Sequence, residues 1–180
     1  MTIPNLITIF RIILTPIFII NLIDDNFLPA LFIFIIAGVS DAADGFIARM
    51  FNQKSKLGSF MDPLADKILL VSAFVMLSAK GLIQPWLAVI VISRDLLIML
   101  GVLILFLNNQ NFAARPSVWS KMTTCLQLMT VFVVLTKDYF STIYSYSPWL
   151  LWATGAMTIL SGLHYTRHWL KILGEGPIKD

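Results

Sequence analysis

Residues 27–66 read FLPALFIFIIAGVSDAADGFIARMFNQKSKLGSFMDPLAD: an uncharged run to Ser40, two aspartates, a short polar loop and two more aspartates. An uncharged apolar run leading directly into acidic residues suits a helix that crosses lipid and ends at its surface, which takes about 20 residues. The rest of the chain repeats the pattern. Of its 180 residues, 58% are hydrophobic and 13% charged, and the net charge is +3. A soluble domain carries about a quarter charged residues, so this composition argues against one. Backbone at membrane depth must satisfy its own polar groups, as helices or as a closed barrel. The runs here are long and lack period-two alternation, so helices are expected.

Six hydrophobic segments are predicted, all in one transmembrane domain spanning residues 1–180. They run from about Pro4 to Ile23, Phe27 to Arg49, Gly58 to Lys80-Gly81, Gln84-Pro85 to Leu107, Val118 to Leu135 and Pro148 to Leu173. Asp24-Asp25-Asn26, Asn52 to Lys56, Asn108 to Asn111 and Lys137-Asp138 punctuate them. With six spans, one side of the membrane collects Arg11, Arg49, Lys54, Lys56, Lys67, Arg115, Lys121, Arg167, Lys171 and Lys179. The other holds Lys80 and Lys137, while Arg94 falls within a span. Basic residues mark the cytoplasmic side, which places both aspartate pairs there. The N-terminus shows neither a cleavable leader nor a transit peptide, and a bacterial plasma membrane is the expected location. No nucleic-acid partner is expected.

Asp41 and Asp44 are three residues apart, and Asp62 and Asp66 four, so each pair shares a helix face. On adjacent antiparallel helices joined by a short loop, the four carboxylates can converge. Unpaired, they would repel one another and raise each other's pKa. Arg49 and Lys67 are too few to neutralise four charges, whereas two hard cations, Mg²⁺ or Mn²⁺, match an all-oxygen donor set and could clamp a diphosphate. Gly45, Ala48 and Gly58 leave room beside them for a ligand, although small residues in membrane helices also serve close packing.

The pattern Asp41-x-x-Asp44-Gly45-x-x-Ala48-Arg49, eight residues, Gly58-x-x-x-Asp62-x-x-x-Asp66 resembles the signature of the CDP-alcohol phosphatidyltransferase family, with every fixed position matched. The resemblance implies a six-helix membrane fold, a homodimer and an active site open to the cytoplasm. It implies that Asp41, Asp44, Asp62 and Asp66 hold the metals, and that Asp66 is the base for the acceptor hydroxyl. It further implies that Gly45, Ala48, Arg49 and Gly58 line the CDP pocket. The hydroxyl would displace CMP directly from CDP-diacylglycerol.

The flanks, Ile3-Pro4-Asn5 with Arg11 and Asp62 to Lys67, resemble the branch of the family that makes phosphatidylglycerophosphate and cardiolipin. Ile92-Ser93-Arg94-Asp95 and Arg115-Pro116-Ser117 with Ser120-Lys121 are closer to the eukaryotic-type cardiolipin pattern, which favours phosphatidylglycerol as acceptor over glycerol 3-phosphate. Both acceptors carry a phosphate, which calls for basic side chains. Arg11, Arg94, Arg115 and Lys121 are the candidates. Arg94 leads because an arginine inside a span is functional by default, and Asp95 is near enough to hold it. A structural ion pair is the competing reading for Arg94, and topology anchoring for Arg115 and Lys121. His164 and His168 lack a third ligand and read as interfacial side chains with Tyr165 and Trp169. Cys125 reads as a small buried apolar residue. A small membrane transporter would line a path near the midplane with ionisable groups; the carboxylates here gather at one edge, which favours the enzyme.

Overall fold

A computed structural model describes the backbone of residues 3–51, 58–107 and 118–174, and the side chains of 7–41, 67–101 and 118–167. Among these residues there are seven helices and no strand: α1 (Ile3–Ile23), α2 (Phe27–Phe51), α3 (Gly58–Ala79), α4 (Pro85–Leu107), α5 (Val118–Leu135), α6 (Ser141–Tyr144) and α7 (Ser147–Gly174). The six long helices follow the six apolar runs to within a few residues. The single turn α6 was not expected from the sequence.

In α1 the buried positions Thr8, Arg11, Thr15, Phe18 and Leu22 are alternately three and four apart, which is one face of a helix, and Leu14 lies buried beside them. That face packs on both α2 and α3. From α2 it meets Phe27, Ala30, Leu31, Phe34 and Ala37, and from α3 Leu69, Leu70, Ala73, Phe74 and Leu77. The Phe18 and Phe34 rings sit 6.0 Å apart at 35°, within the range where tilted aromatic pairs attract.

The chain turns sharply between these helices. Asp25 adopts φ 59° in the link from α1 to α2, a conformation Asp tolerates better than most residues. Lys80, at the end of α3, reaches across this link, donating to the Ile23 carbonyl at 2.8 Å and to Asp25 Oδ1 at 2.5 Å. Gly81 ends α3 at φ 70°. Leu82 N–H donates to Leu77 O, and Gly81 N–H to Ser78 O, both at 2.9 Å, the paired bonds of a Schellman cap that glycine permits.

The second half is built differently. α7 packs on α4 and α5, and its buried positions among the described residues are Ser147, Thr154, Gly155, Thr158 and Ser161. Facing it, α5 buries Thr123, Gln127 and Thr130. Thr130 and Thr154 hydroxyls are 2.7 Å apart, Thr123 donates to Met157 O at 3.2 Å, and Gln127 Nε2 donates to Thr158 at 3.4 Å. Cys125 lies off this seam and is exposed. The expectation of a buried cysteine was wrong: helical register turns position 125 away from the 123–127–130 stripe.

Large apolar side chains cover the outside, among them Ile13, Ile20, Phe32, Val39, Val89 and Leu100. Within the described residues, Val118–Leu135 is long and apolar enough by itself to cross a membrane, and Ile7–Ile23, Phe27–Asp41 and Lys67–Ala79 are shorter apolar stretches.

Candidate active site

Asp41 continues the buried stripe of α2 after Phe34 and Ala37, at the point where the helix becomes polar. There it meets Arg11, which occupies a core position of α1. Arg11 Nη1 is 2.5 Å from Asp41 Oδ1, with the Arg11 side chain fully buried and 46% of the Asp41 side chain exposed. The contact is an ion pair by distance but falls outside hydrogen-bond angles, and no Arg11 nitrogen has a hydrogen-bond acceptor. A buried guanidinium without an acceptor is costly unless a charge compensates it. Asp41 is that charge, so Arg11 fixes one carboxylate oxygen, while Asp41 Oδ2 has no partner among the described residues.

A second charged group begins one residue after Asp66. Lys67 Nζ donates to Asp95 Oδ2 at 2.7 Å, and Arg94 Nη1 donates to Asp95 Oδ1 at 2.7 Å. Arg94 Nη2 donates to Ser120 Oγ at 2.6 Å and to Ser161 Oγ at 2.9 Å. This buried network joins α3, α4, α5 and α7. Asp95 holds Arg94 as the sequence suggested, but Ser120, Ser161 and Lys67 were not foreseen as its members. The adjacency of Lys67 to Asp66 and of Asp95 to Arg94 was the available signal; the pairing across 28 residues was not visible in either.

Arg11 and Arg94 were expected to meet a phosphate directly. Both are enclosed, each committed to a carboxylate, and in this arrangement neither presents its guanidinium to solvent. Lys121 is exposed near the start of α5. The side chains of Asp44, Gly45, Ala48, Arg49, Gly58, Asp62, Asp66, Arg115 and His168 lie outside the described residues. The backbone there carries positions 41 and 44 on α2, and 62 and 66 on α3. Both helices pack on α1, so α1 is their shared neighbour. His164 is exposed, with its ring edge-on to Tyr165.

Among the described residues no three His, Cys, Asp or Glu side chains converge on a metal position. Asp41 is nevertheless the right kind of donor, a hard oxygen on a half-exposed side chain, and this fits a Mg²⁺-like ion.

Fold and site together define an all-helical protein in which a buried arginine meets Asp41 and a second set of charges, Lys67, Arg94 and Asp95, joins its helices. The description of the CDP-alcohol phosphatidyltransferase family matches residues 1–160, and the chain belongs to that family. Its members are membrane-associated. The chain is 35% identical over 192 residues to the cardiolipin synthase (CMP-forming) of Rattus norvegicus, across 96% of this chain and 64% of that protein. To the Homo sapiens cardiolipin synthase (CMP-forming) it is 35% identical over 194 residues, across 97% and 64%. To the CDP-diacylglycerol–glycerol-3-phosphate 3-phosphatidyltransferase of Aquifex aeolicus it is 32% identical over 145 residues, across 77% and 79%. The chain thus spans 64% of the length of the two mammalian relatives.

Proposed function

We propose that this protein transfers the phosphatidyl group of CDP-diacylglycerol to a hydroxyl of a glycerol-type, phosphate-bearing acceptor, releasing CMP. The observation that carries this reading is Asp41. The first aspartate of a fully matched family signature is half exposed, with one oxygen held by a buried arginine and the other without a partner among the described residues. In the reaction the acceptor oxygen attacks the phosphorus that bears diacylglycerol, forming one P–O bond as the bond to CMP breaks. Asp66 takes the hydroxyl proton. Asp41, Asp44, Asp62 and Asp66 hold divalent cations, Mg²⁺ or Mn²⁺, which when bound neutralise the diphosphate and orient it. Gly45, Ala48, Arg49 and Gly58 line the CDP pocket. Arg11, Arg94, Arg115 and Lys121 supply positive charge for the acceptor's phosphate, with Arg11 paired to Asp41 and Arg94 to Asp95.

Phosphatidylglycerol is the acceptor favoured here, in line with the names of the mammalian relatives. The name of the Aquifex aeolicus relative supports glycerol 3-phosphate as the second reading. The six long helices cross the bilayer, as the large apolar side chains on their outer faces support, with the aspartates on the cytoplasmic side of a bacterial plasma membrane and the chain acting as a homodimer. Purified protein given CDP-diacylglycerol with each acceptor, read by lipid mass spectrometry, is expected to yield cardiolipin in the phosphatidylglycerol reaction. Phosphatidylglycerophosphate alone would reverse the choice of acceptor, and neither product would end the reading.

A further inference from the structure

We propose that Lys67, anchored on buried Asp95, is the cation that receives the acceptor's phosphate beside the reacting hydroxyl, with Asp95 and Arg94 as positioning residues. The inference rests on the function proposed above and names a residue of the same site.

The argument begins with a count of donors and charges. Arg94 spends Nη1 on Asp95 and Nη2 on Ser120 and Ser161, and its side chain is 3% exposed. Its Nε has no acceptor, but that atom is buried and opens no path for a ligand from solvent. Asp95, equally buried, divides its two oxygens between Arg94 and Lys67. Lys67 is different. An ammonium has three N–H donors; one is on Asp95, and no second partner exists among the described residues. Its side chain is 24% exposed, so the remaining donors have an outlet.

Among the described residues, the triad of two cations and one carboxylate carries a net positive charge in a largely buried setting. Such a charge is expensive unless an anion completes it, and phosphate oxygens bind lysine through charge-assisted hydrogen bonds. Position 67 follows Asp66 on the same turn of α3. A phosphate held there lies one position along the chain from the residue assigned to deprotonate the acceptor hydroxyl. A lysine stem is flexible and loses rotamer freedom when fixed; Asp95 fixes it before the acceptor arrives, and Arg94 fixes Asp95. A phosphodiester and a phosphomonoester offer the same anionic oxygens, so both acceptors satisfy this chemistry.

The test uses the full-length protein in mixed micelles, with CDP-diacylglycerol and phosphatidylglycerol in one arm and glycerol 3-phosphate in the other. In whichever arm the wild type turns over, Lys67→Gln is expected to raise the acceptor KM at least tenfold. It should leave the KM for CDP-diacylglycerol within twofold. Lys67→Met, which keeps the stem packed, makes the same test if the glutamine variant does not purify folded. Lys67→Arg should recover most of the acceptor affinity, and Asp95→Asn should raise the acceptor KM several-fold by releasing the lysine. An unchanged acceptor KM in the charge-removing variants, or a rise confined to CDP-diacylglycerol, overturns the assignment while leaving the proposed reaction standing. A wild type that makes neither product removes the reaction and the assignment together.

Discussion

Helices α1, α2 and α3 meet through Phe18, Leu22, Phe34, Leu70, Phe74 and Leu77, whereas α5 and α7 meet through Thr123, Gln127, Thr130, Thr154 and Thr158. In water the first kind of contact would dominate stability. In a bilayer, lipid tails are as apolar as leucine, and helix association rests on close packing and interhelical hydrogen bonds. The first three helices therefore depend on shape, on the Arg11–Asp41 pair and on the Lys80 clamp at the α1–α2 link. The later helices depend on hydroxyls that fix register directly. The difference also sorts the chemistry. All four signature aspartates lie on α2 and α3, while most of the buried basic network is supplied from α4, α5 and α7, with Lys67 the one member from α3.

This contrast can be broken at several points. The largest effect is expected at Asp62. Asp62→Asn should cut turnover on the order of a thousandfold, about 4 kcal/mol in barrier, with an unchanged helical circular dichroism spectrum; full turnover in Mg²⁺ would argue against ligation there. Next comes an asymmetry within the Arg11–Asp41 pair. Asp41→Asn leaves a fully buried guanidinium with no counter-charge among the described residues, and should cost about 3 kcal/mol in unfolding from detergent micelles. Arg11→Met leaves only a half-exposed carboxylate that water can reach, so its cost should stay under about 1 kcal/mol. Equal losses would mean that the pair is not what holds α1 to α2.

Gly155→Ala probes the later helices. A Cβ there would stand 2.7 Å from Trp86 Cζ3 and 2.8 Å from Cη2, and Trp86 is itself packed on Trp152 at 5.1 Å between ring centroids. Overpacking of this kind costs about 1–3 kcal/mol and should shift tryptophan emission. The smallest effect is Thr130→Val, which removes the bond to Thr154 and should cost about 0.6 kcal/mol. A much larger loss would show the seam acting as one cooperative unit.

The sequence reveals the long helices because charged or amide clusters such as Asp24-Asp25-Asn26 interrupt runs that are otherwise uniform. It does not reveal α6, because Ser141 to Tyr144 carries no periodicity to distinguish a turn from a link. Arg11 could have been assigned to the core, since positions 8, 11, 15, 18 and 22 trace one helical face; its reading as a phosphate ligand rested on charge and did not foresee the pairing with Asp41. The partnership of Lys67 with Asp95 was illegible for another reason. Tertiary pairing between helices depends on how they rotate against each other, and one sequence holds no direct record of that. Cys125 shows the same gap on a smaller scale: an apolar run indicates a helix, but not which of its sides faces inward.

Lys80 carries a mechanical consequence. It rivets the α1–α2 elbow to the tail of α3, and Asp41 stands 15 residues beyond that elbow, an arm of about 22 Å at 1.5 Å per residue. A tilt of about ten degrees around the rivet would swing the carboxylate by about 4 Å, about twice the length of the metal–oxygen bond proposed for it. Lys80→Met is accordingly expected to weaken Mg²⁺ activation from the opposite end of the molecule, and an unaltered Mg²⁺ titration would show that the elbow holds its angle without it.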